Sequence, residues 1–208
     1  MNLIESLNWR YACKKFDTNK KLTPTQVNDL VEVLRLSASS YGLQPWRFVV
    51  VENPAKREEL IAHSYNQRQV AEASHLFVLC APAEFSENHV DAYLYDIVAT
   101  RGGAVQELEG YKKMMMGTLS RLGDKQADWM KNQIYIALGS LLTGAAVLGI
   151  DTCPMEGFVA SKYDEILGLN DLGLKSVVVC PVGFRAEDDK YSSLKKVRFN
   201  KSTLVHTI

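Results

Sequence analysis

The uncharged run from Gln133 to Ile150 restricts the fold of this chain more than any other segment. Its large apolar residues are interrupted by small ones such as Gly139, Ser140 and Gly144, which allow a helix to pack closely against its neighbours. The run is of marginal length for a membrane span, and no other segment has membrane character. We therefore predict a helix buried in a core or in an interface.

Composition supports a globular protein with a sizeable core. The 208 residues are 47% hydrophobic, which suits a single domain over residues 1–208. Lys and Arg total 24 and Asp and Glu total 24. Because a protein that neutralises many phosphates needs a basic surplus, nucleic acid is a poor candidate for the main partner.

The cysteines and the N-terminal residues are typical of a protein of a reducing compartment. The four cysteines are widely separated and form no CxxC pair, and Cys80 and Cys180 lie in apolar runs. Buried reduced thiols are therefore expected, which is typical of a reducing environment. Residues 1–5 lack the features of a signal peptide, so we predict a cytoplasmic protein.

Helical signals recur along the chain. Thr23 and Gln26 form a capping box around Pro24, which predicts a helix to about residue 36. Asn53 begins another helix by the same logic. Asp124 is expected to cap the long helix that contains the uncharged run. The remaining helices are predicted over 2–8, 160–167 and 84–121, the last one broken at 101–103 or near 110.

Strands are fewer than helices. Apolar runs predict buried strands over 48–51, 76–81 and 176–182, and from Arg185 onward the chain is polar and mostly extended. Few strands among many helices, with no linker or repeat, indicate an α+β domain.

Several common catalytic motifs are absent. The chain has no GxGxxG after a strand, no P-loop, no GxSxG elbow and no HExxH. The four histidines share no ligand spacing, so we predict no metal site. These absences favour an enzyme whose reactivity resides in a bound organic cofactor.

Three segments have the composition of a ligand site. Residues 10–16 combine Arg10, whose planar fork suits phosphate, with lysines, although a solvated basic turn would look the same. Residues 37–46 place consecutive serines beside Gly42, which also fits a plain helix-to-strand loop. Residues 153–158 hold Glu156 between Pro and Gly, which also fits an ordinary turn.

Taken together and in order, these segments resemble the nitroreductase family of FMN-dependent enzymes. The resemblance covers nearly the whole chain. It rests on pieces that are weak singly: Arg10, Lys14 and Phe16, then Ser39–Ser40 and Gln44–Trp46, then Asn66–Gln69 with Ala73–His75, then Trp129, Gln133–Tyr135, Pro154–Phe158 and Lys196–Arg198.

The resemblance implies an architecture. We expect a central mixed, mostly antiparallel sheet flanked by helices, in an intertwined homodimer with both active sites at the interface. The C-terminal tail, about 185–208, would reach the partner subunit. The serine-containing loop near Gly42 would come from the other subunit.

The resemblance also implies roles in FMN binding. Arg10, Lys196 and Arg198 would hold the phosphate, and Asn66 would bind the pyrimidine part of the ring. Lys14 would stabilise the anionic reduced flavin at its N1 and O2 edge, and Glu156 with Gly157 would present backbone N–H groups near N5 and O4. The wider implied FMN-binding set is Tyr11, Ala12, Cys13, Ala38, Ser39, Ser40, Gly42, Gln44, Gln69, Gln133, Pro154 and Met155.

This chain departs from the family pattern at four positions. Ala12 stands where Ser is common, so one phosphate contact is lost, and Tyr11 stands where a basic residue is common. Gly42 replaces a frequent Asn, and Gln69 stands where some relatives have Lys. We expect changes in FMN affinity, nicotinamide handling or substrate choice.

The implied activity is a ping-pong transfer of two electrons from NAD(P)H to a nitroaromatic, a quinone or a pteridine. Lys14 and Glu156 would tune the flavin, with no side-chain acid or base needed in the first half-reaction. Tyr65, Met114 and Met115 are expected to contact substrate, although each also fits a partly buried structural residue. Two other hypotheses remain: an FMN-binding relative that carries or modifies flavin, and a non-enzymatic α+β interaction module.

Overall fold

The computed structural model describes residues 2–208. Its strands are β1 (Arg47–Val51), β2 (His75–Pro82), β3 (Asp151–Thr152) and β4 (Leu174–Gly183). Within this range the helices are α1 (Leu3–Trp9), α2 (Pro24–Arg35), α3 (Pro54–Glu59), α4 (Gln69–Glu72), α5 (Glu87–Arg101), α6 (Glu109–Leu122), α7 (Gln126–Val147), α8 (Ala160–Ile166) and α9 (Lys201–Leu204).

The strands form one sheet in the order β1-β2-β4-β3. Every pairing between these strands is antiparallel, and Val78 at the centre pairs with Val49 on one side and Val179 on the other. Among residues 2–208, the parallel pairing expected of a mixed sheet is limited to one isolated bridge between Ala12 and Thr152. The predicted α+β fold with a mostly antiparallel sheet is confirmed.

Both faces of the sheet are buried, because successive side chains of a strand point to opposite sides. On β2, Phe77 and Leu79 join the core under α2, α5, α6 and α7. Leu76 and Val78 join a second core with Leu60 and residues of the α8 region. This double burial explains why the strands are continuous apolar runs rather than alternating ones.

Local capping behaves as the residues predict. Thr23 accepts a hydrogen bond from the Gln26 amide at 3.2 Å, and Gln26 Oε1 accepts from the Thr23 amide at 2.9 Å. Asn53 Oδ1 accepts from the amides of Ala55 and Lys56 at the start of α3. These local bonds confirm the predicted starts of α2 and α3.

One helix boundary matches the first of two predicted positions, and another differs from expectation. The break between α5 and α6 lies at Gly102 and Gly103, which both have positive φ, whereas Gly110 lies inside α6 and ends nothing. Asp124 does not cap α7. It lies in the 3-10 turn Gly123–Lys125, and the carbonyl of Gly123 accepts the Gln126 amide, so the helix begins without a side-chain cap.

The uncharged run forms most of α7, which has a buried and an exposed face. Leu141 is fully buried, and a Cβ added at Gly144 would lie 2.8 Å from the Val33 side chain of α2. Ile136 and Val147 are exposed on the other face. Within residues 2–208, no helix combines the length and apolar character needed to cross a membrane.

Candidate active site

A cavity of about 590 Å³ lies between the end of α1 and the C-terminal tail. This volume falls within the range of small-molecule sites. No Asp or Glu of residues 2–208 is among its lining side chains. Its lining cations are Arg10, Lys14, Arg185, Lys195, Lys196 and Arg198.

Three of these cations, Arg10, Lys196 and Arg198, form what we call the cationic clasp. The Lys196 ammonium donates a hydrogen bond to the Arg10 carbonyl oxygen. Burial lowers the pKa of Lys196, and the nearby charges of Arg10 and Arg198 lower it further. None of the three forms a salt bridge with a carboxylate of the described chain. The clasp therefore concentrates positive charge that no carboxylate of residues 2–208 pairs with.

Arg10 has a buried side-chain donor that no group of residues 2–208 satisfies. Its Nε atom is buried and makes no hydrogen bond in the described chain. Burial and the charge of Arg198 lower the pKa of its guanidinium. Since Arg remains charged in proteins and its fork suits phosphate, this geometry fits a bound phosphate group.

Lys14 lines the same cavity as the clasp and also contacts a second group of polar side chains. Its Nζ lies 3.6 Å from Cys153 Sγ, and Gln69 Nε2 lies 4.0 Å from the same sulfur. Gln69 also donates to Gln67 Oε1 at 3.0 Å, and Gln67 donates to the Gly157 carbonyl at 3.2 Å. The structure thus links Lys14 to Gly157 through Cys153, Gln69 and Gln67.

The turn beside this group has an unusual backbone. Tyr65 and Asn66 both have positive φ, at 51° and 59°. Asn tolerates this region, but it is unfavourable for a bulky Tyr, and such strain is typical of functional sites. The Tyr65 side chain is 69% exposed and lies near Gly157.

The segment 154–157 is anchored on two sides. Met155 exchanges backbone hydrogen bonds with Val179 of β4, at 2.8 and 3.1 Å. The Tyr135 hydroxyl of α7 donates to the Glu156 carboxylate. Burial raises the pKa of Tyr135, and the hydrogen bond and charge of Glu156 raise it further. Pro154, Met155 and Glu156 are thereby held beside Cys153.

The loop 37–45 is held by hydrogen bonds but lies apart from the clasp of its own chain. The Ser40 amide donates to Gln133 Oε1 at 2.8 Å, and the Gln44 amide donates to Ser39 Oγ at 2.9 Å. Gly42 has φ +74°, and a Cβ there would lie 2.3 Å from the Tyr93 hydroxyl oxygen. Within residues 2–208, the cavity has no lining residue from this loop, including Ala38.

Two predicted contacts need revision. Met115 is fully buried in the core, so this conformation offers no surface of it to a substrate, whereas Met114 is 56% exposed. Cys13 is also fully buried, and burial raises the pKa of its thiol. A cofactor contact at Cys13 would have to come from its backbone.

Sequence reasoning missed two residues of the tail. Arg185 pairs with the buried Asp151, with its Nη2 2.6 Å from Oδ1, and its guanidinium stacks on the rings of Trp9 and Tyr11. Asp189 accepts hydrogen bonds from the amide of Lys14 and from the Tyr11 hydroxyl. The acidic run 187–189 inside a basic tail was the sequence signal that could have found Asp189.

The chain is similar to known proteins along most of its length. The model of the "Nitroreductase family" matches residues 7–184. A "Putative NAD(P)H nitroreductase" of Staphylococcus epidermidis is 36% identical, with 99% of this chain and 96% of the relative covered. The "Putative NAD(P)H nitroreductase YfkO" of Bacillus subtilis is 33% identical, with 90% of each covered.

A solved structure shows the same fold. It is a "putative nitroreductase in complex with FMN" from Exiguobacterium sibiricum, with a TM-score of 0.85 at 18% identity, covering 100% of this chain and 98% of that one. Since the family model spans most of the chain and the relatives exceed 30% identity over nearly all of it, this chain belongs to the nitroreductase family, a family of oxidoreductases.

Proposed function

We propose that this protein is an FMN-dependent NAD(P)H oxidoreductase that transfers two electrons by a ping-pong cycle. The observation that carries the proposal is the cationic clasp, in which positive charges from both ends of the chain meet at a cavity that no carboxylate of residues 2–208 lines. The names of the relatives, NAD(P)H nitroreductases, and the FMN complex of a protein with the same fold support it.

The residues present fit FMN. Arg10, Lys196 and Arg198 would hold the phosphate, and the unpartnered Arg10 Nε would gain an acceptor. Tyr11 and Ala12 line the same cavity, although Ala12 lacks the hydroxyl that family members often place there. Bound FMN would supply a carrier that accepts a hydride and returns electrons to an acceptor.

Around the ring, this chain would contribute charge and hydrogen bonds rather than an acid or a base. Lys14 would hold positive charge beside the ring and favour its reduced form. Asn66 and Gln69 would bind polar ring edges, and the backbone of Glu156 and Gly157 would face the reacting edge. The Tyr135 hydrogen bond would fix the Glu156 side chain and leave its backbone free for this role.

We propose that the active protein is a homodimer. Leu3, Ile4 and Leu7 of α1 and Ile136 of α7 are exposed apolar residues on helices that pack against each other. An exposed apolar patch of this kind is typical of an interface. The tail adds exposed apolar residues such as Val197, which is 84% exposed. In this arrangement Ala38, Ser39, Ser40, Gly42 and Gln44 would reach the partner's cofactor.

The acceptor would be a flat aromatic molecule such as a nitroaromatic, a quinone or a pteridine. Tyr65 and Met114 are exposed and available to contact it. Methionine side chains adapt to differently shaped ligands, which suits a broad range of acceptors. The four buried free cysteines support a reducing compartment, so we place the protein in the cytoplasm.

The test begins with the colour of the purified protein. We expect flavin absorbance after purification or after addition of FMN, and anaerobic bleaching by NADH or NADPH. Yellow protein that never bleaches would favour a flavin carrier or flavin-modifying role. Protein that binds no added FMN would favour the non-enzymatic interaction module.

A matched pair of tail variants tests the clasp. Arg198→Ala should weaken FMN binding, because it removes a charge that faces the cavity. Lys201→Ala, an exposed tail cation outside that cavity, should leave the FMN dissociation constant unchanged. Equal affinities of the two variants would contradict the phosphate role of the tail.

A further inference from the structure

Asp189 is a buried carboxylate in a tail that is otherwise largely exposed. The residue is 3% exposed, whereas the side chain of its neighbour Asp188 is 68% exposed and pairs with Lys15 at the surface. A buried charge is costly unless hydrogen bonds satisfy it. Asp188 and Asp189 are therefore adjacent in sequence and equal in charge, but one side chain is exposed and the other is buried.

The Asp189 carboxylate is satisfied by donors from both halves of the site. Its Oδ2 accepts from the Tyr11 hydroxyl at 2.9 Å, from the Lys14 amide at 3.0 Å and from the Lys15 amide at 3.3 Å. Its Oδ1 accepts from the Tyr191 amide at 3.1 Å. One side chain thus joins segment 11–15 to the tail.

Backbone bonds extend this junction. The Ala186 amide donates to the Lys15 carbonyl at 3.0 Å, and the Asp189 amide donates to the Ala186 carbonyl at 3.1 Å. The chain then turns through Tyr191 toward Lys196, whose ammonium reaches the Arg10 carbonyl. Asp189 therefore lies where the N-terminal and C-terminal parts of the clasp are held together.

The hydrogen bonds also keep the carboxylate ionised. Burial alone would raise the pKa of Asp189, but the donors from Tyr191, Lys14, Tyr11 and Lys15 outweigh it, so the pKa lies below its ordinary value. Near neutral pH, a full negative charge therefore remains beside Tyr11 and Lys14, which line the cavity, although Asp189 itself does not line it.

We propose that Asp189 is a positioning residue that sets Lys14 and the tail half of the cationic clasp for FMN, an inference that rests on the proposed function. Two effects of the carboxylate have opposite signs. Its charge repels a nearby phosphate, whereas its hydrogen bonds arrange the cations that bind one. Removing the charge should tighten FMN binding if repulsion dominates and weaken it if positioning dominates.

The experiment compares Asp189→Asn with Asp188→Asn. Both substitutions remove one negative charge from adjacent positions, but only the first sets an amide NH2 group against a backbone or hydroxyl donor, the Tyr191 amide in one orientation and the donors to Oδ2 in the other. The measurements are the FMN dissociation constant and the midpoint potential of the bound FMN. We expect at least tenfold weaker binding for Asp189→Asn, about 1.4 kcal/mol. Asp188→Asn should stay within about twofold of wild type.

The potential separates positioning from simple loss of stability. If Asp189→Asn displaces Lys14, the reduced form of the bound FMN loses stabilisation and the midpoint potential becomes more negative. A variant that is merely less stable would keep the wild-type potential once saturated with FMN. Equal or tighter FMN binding by Asp189→Asn, or an unchanged potential, would overturn the inference.

Tyr11→Phe provides a second route if Asp189→Asn does not fold. It deletes one donor to the same carboxylate and keeps the ring that packs on Arg185. We expect a smaller shift of affinity and potential in the same directions, and no shift would overturn the inference. Wild-type protein that binds no FMN would instead overturn the proposed function together with this inference.

Discussion

Replacing Arg10 with Met should move two measurements in opposite directions. The guanidinium is partly buried beside Lys196 and Arg198, its Nε lacks a partner, and it pairs with no carboxylate of the described chain. Met preserves much of the apolar stem while removing the charge and the orphaned donor. The FMN-free protein should therefore gain stability while the affinity for FMN falls.

The size of each effect follows from the orphaned donor and the missing charge. An unpaired buried N–H costs about 1–3 kcal/mol, and about 2–4 °C of melting temperature corresponds to each kcal/mol in a chain of this size. Arg10→Met should then raise the FMN-free melting temperature by about 2–12 °C. Loss of a charge-assisted hydrogen bond to phosphate, about 1.5–3 kcal/mol, should weaken FMN binding by about tenfold to hundredfold.

Calorimetry of the FMN-free protein and FMN titration would measure the two effects. Arg101→Met is a suitable control, because Arg101 is an exposed arginine at the end of α5, outside the cavity. It should change neither quantity appreciably. A lower melting temperature for Arg10→Met with an unchanged FMN dissociation constant would refute the reasoning, since Arg10 would then be a structural residue.

The remaining predictions concern stability and substrate contact. Gly42→Ala should cost roughly 1–2 kcal/mol in chemical denaturation because of its positive φ, and more because the new Cβ clashes with the Tyr93 hydroxyl; Tyr93→Phe should restore only the part due to that clash. Asp151→Asn should destabilise the protein by about 3 kcal/mol, since it breaks a buried ion pair, and a loss below about 1 kcal/mol would contradict that role. Met115→Ala should lower stability by about 2–5 kcal/mol, whereas Met114→Ala should leave stability nearly unchanged and alter the KM of the acceptor. The reverse pattern in denaturation and steady-state assays would restore Met115 as a substrate contact.

Features set by near neighbours in the chain were predictable. The capping box at Thr23 and Gln26 joins residues three positions apart, and the Asn53 cap is equally local. The apolar runs of β1, β2 and β4 were also recognisable, because a buried strand needs such runs wherever it lies in the sheet. These elements were confirmed because the physics that forms them acts within a few residues.

Features set by packing were less predictable. Asp124 is a residue type that often caps helices. In the 3-10 turn before α7, however, the Gly123 carbonyl accepts the Gln126 amide, so no side-chain cap is needed there. Gly102 and Gly110 are both glycines and both could end a helix. Gly102 has positive φ and ends α5, whereas Gly110 lies inside α6. Met114 and Met115 are adjacent, yet one turns outward and the other enters the core.

The cationic residues were visible in the sequence, and the resemblance to a family gave them roles. Only the tertiary structure brings these residues together. Lys196 donates a hydrogen bond to Arg10, 186 positions earlier, and Asp189 accepts one from Tyr11, 178 positions earlier. Residues so far apart meet only when the sheet and α1 place both ends of the chain side by side. The sequence by itself determined which helices, strands and charges are present. The tertiary structure decided which charges share a cavity and which acid accepts hydrogen bonds from segment 11–15, because such contacts depend on the path of the whole chain.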